Sequence, residues 1–240
     1  MLAVGVLLAG GALASDPAVA ATPHAATVTV AAPTAPGYHH RTAANRDPRS
    51  PYLVVDKRLP LIPKSYVPKD LVTPKVRIAG PLHQLRAVPA RHLEQMFAAY
   101  HRATGKSMAV LSAYRSYTAQ KSIYNRYVRE HGRAWADRSS ARPGFSEHQT
   151  GMALDISASP STCSLGSCFG TTSQGKWLAK NSWKYGYILR YPKGYEKITG
   201  YKYEPWHYRY VGVKVASDMH ARGIRTLEQY YGYAAAPTYR

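Results

Sequence analysis

The stretch Phe145-Ser146-Glu147-His148-Gln149-Thr150-Gly151-Met152-Ala153-Leu154-Asp155-Ile156 decides how the rest of the chain reads. It sets an imidazole ahead of a carboxylate, and that carboxylate sits inside the apolar run Met152 to Ile156. Successive side chains on a strand alternate faces, and His148 and Asp155 are an odd number of residues apart, so a straight strand cannot aim both at one point. Gly151 lies between them, where the chain is free to turn or bulge. The expectation is His148 on a loop that enters a strand, with Asp155 inside that strand.

Further along, Tyr203-Glu204-Pro205-Trp206-His207-Tyr208 adds a second imidazole and another acid. Glu204 and His207 have the separation of neighbours on a helix face, but Pro205 disfavours α geometry at the residue before it. On a regular strand they would face opposite ways. A bend at Pro205 is therefore required, and the helical zinc signature with two histidines four apart is excluded. Zinc takes neutral His nitrogen and carboxylate oxygen in tetrahedral geometry, and a catalytic site leaves one position for water. His148, Asp155 and His207 fill the other positions of one Zn2+, which leaves Glu204 as a general base.

These residues carry a resemblance. Ser146-x-His148-x-x-Gly151-x-Ala153-x-Asp155, followed by Glu204-Pro205-Trp206-His207, resembles the D-alanyl-D-alanine carboxypeptidases of the vancomycin-resistance VanY type. These belong to a zinc peptidase group that also contains dipeptidases and phage endolysins. The likeness extends upstream to Ser112-Ala113-Tyr114-Arg115-Ser116-Tyr117-x-x-Gln120, to Leu53-Val54-Val55-Asp56-Lys57 and to Tyr66-x-Pro68-x-Asp70-Leu71-Val72. It implies hydrolysis of the terminal D-Ala-D-Ala bond of peptidoglycan stem peptides, with Glu204 and Arg115 catalytic. It places Arg115, Gln120 and Ser146 around the substrate terminus, where a guanidinium can grip a carboxylate bidentately or hold a developing oxyanion. Trp206, beside His207, suits a pocket wall and the core equally. The same chemistry would serve an L,D-carboxypeptidase or an endopeptidase, and a catalytically silent wall-binding zinc module is the reading from another class.

Working outward, 240 residues suit one domain with an extension. Residues 1–14 are apolar and end in Ala12-Leu13-Ala14, with a second small-residue cleavage option at Ala18-Val19-Ala20, so residues 1–20 read as a secretory signal too short to span a bilayer. The basic segment that should precede it is missing, so the true start is expected upstream. Residues 21–50 are rich in Ala, Pro and Thr and are expected to form a disordered linker, with the zinc domain over 51–240. Cys163 and Cys168 are the only cysteines, spaced C-x-x-x-x-C rather than C-x-x-C, and in a secreted protein a disulfide is the natural reading.

Inside the domain, Leu53-Val54-Val55 reads as a brief strand before an extended segment marked by Pro60, Pro63 and Pro68. Pro89 opens a helix whose Leu93, Met96, Phe97 and Tyr100 share a face, with Gly105 as C-terminal cap. Met108–Leu111 reads as a buried strand that delivers Arg115, and Thr118 as the N-cap of a helix ending near Gly132. Residues 173–184 read as helix, Tyr187–Tyr191 and Trp206–Val211 as strands, and Val213–Arg222 as a final core helix ended by Gly223. No regular βαβ period appears, so the expected fold is α+β: a small antiparallel or mixed sheet with flanking helices and the zinc site at the sheet face.

The formal net charge is +19. So basic a surface favours polyanions, and for an exported monomer these are anionic cell-wall polymers or a membrane surface at the cell envelope. A high pI is also a footprint of nucleic-acid binding, but no zinc finger, RNA motif or basic helix is present, and no specific nucleic acid is expected.

Overall fold

The structure, a computed structural model, describes residues 41–240. In chain order its elements are β1 (Leu71–Val72), β2 (Leu85–Arg86), α1 (Ala87–Thr104), β3 (Ser107–Ser112), α2 (Tyr117–His131), α3 (Arg133–Ser139), β4 (Ala153–Ser159), α4 (Ser173–Asn181), β5 (Tyr187–Leu189), α5 (Glu196–Thr199), β6 (His207–Tyr210), α6 (Val213–Ala221) and α7 (Leu227–Tyr231). The main sheet has strand order β3-β4-β6-β5 and is antiparallel throughout, while β1 and β2 form a separate antiparallel pair. Of the expected antiparallel or mixed sheet with flanking helices, the antiparallel form holds.

Strand alternation sorts the main sheet into an apolar face and a charged one. Met108, Val110, Leu154, Ile156, Ala158, Tyr208 and Tyr210 pack with Leu93, Met96, Phe97 and Tyr100 of α1 and with Leu178 of α4. The intervening positions include Asp155, Ser157, His207 and Arg209, which are also buried. Both faces are covered, so β4 is buried along nearly its whole length and carries few polar groups beyond those the site uses. On the β3 edge the segment around Ile78 bridges in parallel to Val110, and Ala79 N–H donates to the Val110 carbonyl at 2.8 Å, which covers groups an edge strand leaves open.

Several expectations are corrected. Leu53-Val54-Val55 is buried but is no strand. Guanidiniums occupy the carbonyls a neighbouring strand would need: Arg209 donates to Leu53 O at 2.9 Å, Arg46 to Val54 O at 2.8 Å and Arg190 to Val55 O at 3.3 Å. The N-cap of α2 is Ser116, whose hydroxyl accepts from Ala119 N–H at 3.2 Å, rather than Thr118. The short helix α3 follows Gly132 unanticipated, and α6 is not the last helix, because Thr226 caps α7 beyond Gly223. The expected leader 1–20 and the linker up to residue 40 lie outside the described residues. The last part of the expected linker is packed: Ala43–Asn45 form a 3-10 turn, and buried Asn45 donates to Tyr52 O at 2.8 Å. The exposed pair Cys163–Cys168 is disulfide-bonded as expected.

Candidate active site

His148 arrives on a 3-10 turn, Glu147–Thr150, which ends at Gly151 with φ +67°. That left-handed residue turns the chain directly into β4, and an added Cβ would press on Arg86 Cγ at 2.9 Å. The turn is tied down from both sides. The Gln149 amide donates to Lys64 O at 2.7 Å and to Tyr66 O at 3.0 Å, while His148 Nδ1 lies 2.7 Å from Ala113 O.

Asp155 is the direct cross-strand partner of His207 on one side and of Ser112 on the other. The β3–β4 register slips between Val110 and Ser112, leaving Leu111 as the extra residue of a bulge. His207 N–H donates to Glu204 O at 3.0 Å across a turn containing Pro205, the bend that the spacing required.

The three expected ligands meet. His148, Asp155 and His207 form a group among the described residues whose donor atoms all lie within 4.8 Å of one another. His148 Nε2 is 3.4 Å from Asp155 Oδ2, and His207 Nδ1 is 3.2 Å from Asp155 Oδ1. Ligand atoms about 2.0–2.1 Å from a tetrahedral zinc are separated by about 3.3 Å, so these spacings fit such an ion. Asp155 Oδ1 is buried without a hydrogen bond, as an oxygen reserved for a cation would be. Glu204 Oε2 stands 3.9 Å from His207 Nδ1, and Arg115 Nη2 stands 3.9 Å from Asp155 Oδ2.

The electrostatics follow from burial plus opposite charge. Burial alone would raise the Asp155 carboxyl, but His148 and His207 hold it far below the usual carboxylate range. Burial pulls His148 down. His207 is pushed the other way, to about 9, because Asp155, Glu147 and Glu204 outweigh its burial. Burial also lifts Glu204 to about 7, with Asp155 adding to the rise and His207 and Arg115 opposing it. A carboxyl near neutrality and a strongly ionised one within a single site is a pattern that separates a proton acceptor from a ligand.

These groups open into a cleft of about 710 Å³ lined by Arg115, Ser146, His148, Asp155, Glu204, Trp206 and His207. Its walls also bring in residues that motif reading missed: Tyr127 and Trp135 of the α2–α3 pair, Tyr191, Tyr203, and Leu165 and Ser167 from inside the disulfide loop. Trp206 lines the cleft and packs against the main core, so both readings of it hold.

Gln120 is different. It is fully buried, its Oε1 accepts from Arg115 Nη1 at 2.9 Å, and its amide donates to Ser140 Oγ and Ala141 O. Gln120, expected at the substrate terminus, is not among the residues lining the cleft; it holds Arg115, which Ser112 Oγ also steadies at 3.0 Å.

Sequence reading passed over Glu147 altogether. Its carboxylate is wholly buried, and burial would raise its pKa, but Arg190 and Arg209 hold it far below the usual range. Its Oε1 accepts from Arg190 Nε at 2.9 Å and from Arg209 Nη1 at 2.8 Å, and Oε2 lies 3.5 Å from His207 Nε2. Arg190 in turn forks onto Glu228. An acid beside His148 looks like any polar loop residue until these distant arginines are placed.

Comparison with known proteins gives a consistent set. The model of the VanY D-alanyl-D-alanine carboxypeptidase family matches residues 82–213. YodJ of Bacillus subtilis (strain 168), provisionally named a carboxypeptidase, is 42% identical over 190 residues, which span 78% of this chain and 68% of that protein. Among solved structures, the LdcB LD-carboxypeptidase, described with the basis of its peptidoglycan recognition, superposes with TM-score 0.71 at 41% identity, covering 78% of this chain and 88% of that one. A D,D-pentapeptidase VanY from a VanB-type vancomycin-resistance cassette, in complex with Zn(II), gives TM-score 0.60 at 31% identity, covering 74% and 97%.

Proposed function

Because the chain belongs to the VanY family of D-alanyl-D-alanine carboxypeptidases, we propose that it hydrolyses the last peptide bond of peptidoglycan stem peptides and releases D-alanine. The observation that carries this reading is the convergence of His148, Asp155 and His207 with Glu204 and Arg115 at one cleft. His148 and His207 nitrogens with an Asp155 oxygen make a donor set for one Zn2+, which when bound supplies Lewis acidity that acidifies water and polarises a carbonyl.

The chain's own residues do the rest. Glu204 accepts the proton of the attacking water and passes it to the leaving D-alanine amine; a carboxyl poised near neutrality can do both. Arg115, held by Gln120 and Ser112, keeps an N–H on each terminal nitrogen free for the substrate's carboxylate or the developing oxyanion. Ser146 and Trp206 form the wall against which the terminal residue seats.

The family description favours a D-Ala-D-Ala terminus, the pentapeptide stem. A second reading, L,D cleavage of the tetrapeptide stem, is favoured by greater likeness to the LdcB LD-carboxypeptidase, 41% identical against 31% for the zinc-bound VanY. Mass spectrometry of both stem peptides after incubation with zinc-loaded protein separates them by which one loses D-alanine. Loss from neither, in protein that holds zinc, removes the proposal in favour of a non-catalytic wall-binding module. The apolar leader and the net charge of +19 support export and retention at the cell envelope on anionic polymers, with the protein acting as a monomer.

A further inference from the structure

Among the described residues, the largest buried polar assembly that this mechanism leaves unused is Glu147 with Arg190, Arg209 and Glu228, all fully buried. If Glu147 served only to neutralise the arginines, a fork would suffice, as between Arg190 and Glu228, where two guanidinium nitrogens meet two carboxylate oxygens at 3.0 and 2.6 Å. Glu147 is bound otherwise. Both arginines converge on its Oε1, and Oε2 is left without a conventional hydrogen bond, facing His207 Nε2 at 3.5 Å. His207 Nε2 has no conventional partner either, while its Nδ1 faces Asp155 Oδ1. Strand alternation produces this arrangement, because His207 and Arg209 are two apart on β6 and so reach Glu147 from the same face.

We propose that Glu147 is a positioning residue for the metal site: its free oxygen accepts the Nε2–H of His207, keeping that proton on the ring, and so fixes the tautomer that leaves Nδ1 bare for the ion. The two arginines orient the carboxylate by holding its other oxygen. His148 is fixed in the complementary way, with Nδ1 engaged by the Ala113 carbonyl and Nε2 turned to the site. The two imidazoles therefore ligate through opposite nitrogens. Partners of this kind raise ligand basicity, and their loss typically weakens metal binding about 10- to 100-fold.

The inference rests on the zinc site proposed above, and the test keeps the two apart. In Glu147→Gln the amide oxygen is retained by Arg190 and Arg209, so its NH2 must face His207 Nε2 and meet donor with donor. Chelator competition should then show zinc bound about 10- to 100-fold more weakly than by the wild-type protein, and the visible spectrum of the cobalt-loaded variant should shift. Unchanged zinc affinity overturns the inference even if the metal-free variant melts earlier, since that outcome assigns Glu147 to folding alone. Wild-type protein that binds no stoichiometric zinc overturns the site itself and this inference with it. Should the variant fail to fold, nitrogen NMR of the zinc-loaded wild-type protein decides: a proton on His207 Nε2 with the metal at Nδ1 supports the assignment, and the reverse overturns it.

Discussion

Glu204 and His207 sit side by side, and their ionisation is displaced in ways that bear directly on turnover and metal uptake. Glu204 is lifted to about 7 chiefly by burial, so it can take a proton and return it within one cycle. Replacing it by Gln keeps the size and removes the proposed base. Zinc content should be unchanged while kcat falls about 10²- to 10⁴-fold, whereas His148→Ala should emerge from purification without stoichiometric metal. His207 in the metal-free protein keeps a proton up to about 9, against an ordinary value of 6.5, because its acidic neighbours outweigh burial. Its stabilising contribution is complete below 6.5 and is lost as pH rises through about 9. A ligand nitrogen must shed that proton. Apparent zinc affinity, followed by competitive titration, should therefore climb by roughly tenfold per pH unit and level off near 9.

At the scale of elements, the site is assembled from turns rigidly tied to a sheet. The bulge at Leu111 brings Ser112 opposite Asp155, and Gly151 converts the turn of His148 into the strand of Asp155. The disulfide Cys163–Cys168 closes a loop whose Leu165 and Ser167 reach the cleft wall. For so short a loop chain-entropy reasoning gives the bond a contribution of about 2 kcal/mol. The double variant Cys163→Ser/Cys168→Ser should accordingly melt a few degrees lower and show a raised KM. Its kcat at saturation and its zinc content should stay near wild type, because no residue of the loop belongs to the candidate ligand group. A matching loss of bound zinc would place the loop in the metal site instead.

For the whole molecule, net charge is the property that no single contact expresses. With +19 distributed over a chain of this size, association with an anionic wall polymer should be strong in dilute buffer. The Debye length shrinks from about 10 Å at 0.1 M to about 3 Å at 1 M ionic strength. Co-sedimentation with teichoic-acid-bearing walls should thus be lost in high salt, while hydrolysis of a small soluble peptide changes far less. Retention that survives high salt would mean that specific contacts, not charge, hold the protein to the wall.

The candidate ligand group, the bend at Pro205, the turn at Gly151 and the helix of Leu93, Met96, Phe97 and Tyr100 were all legible from local pattern, since parity on a strand and periodicity on a helix are local properties. The disulfide, too, followed from two cysteines spaced C-x-x-x-x-C in a chain read as secreted. What local pattern could not convey is who stands beside whom across long stretches of chain. Glu147 meets Arg190 and Arg209 from sequence separations of 43 and 62, and Leu53 lost its strand to an arginine 156 residues away. That Gln120 supports Arg115 likewise emerged only when its burial and its hydrogen bond were known. Sequence alone picked out the residues able to hold a metal; tertiary packing decided which partner stands behind each ring, Ala113 O at His148 Nδ1 and Glu147 at His207 Nε2, because a partner so distant in the chain leaves no local pattern.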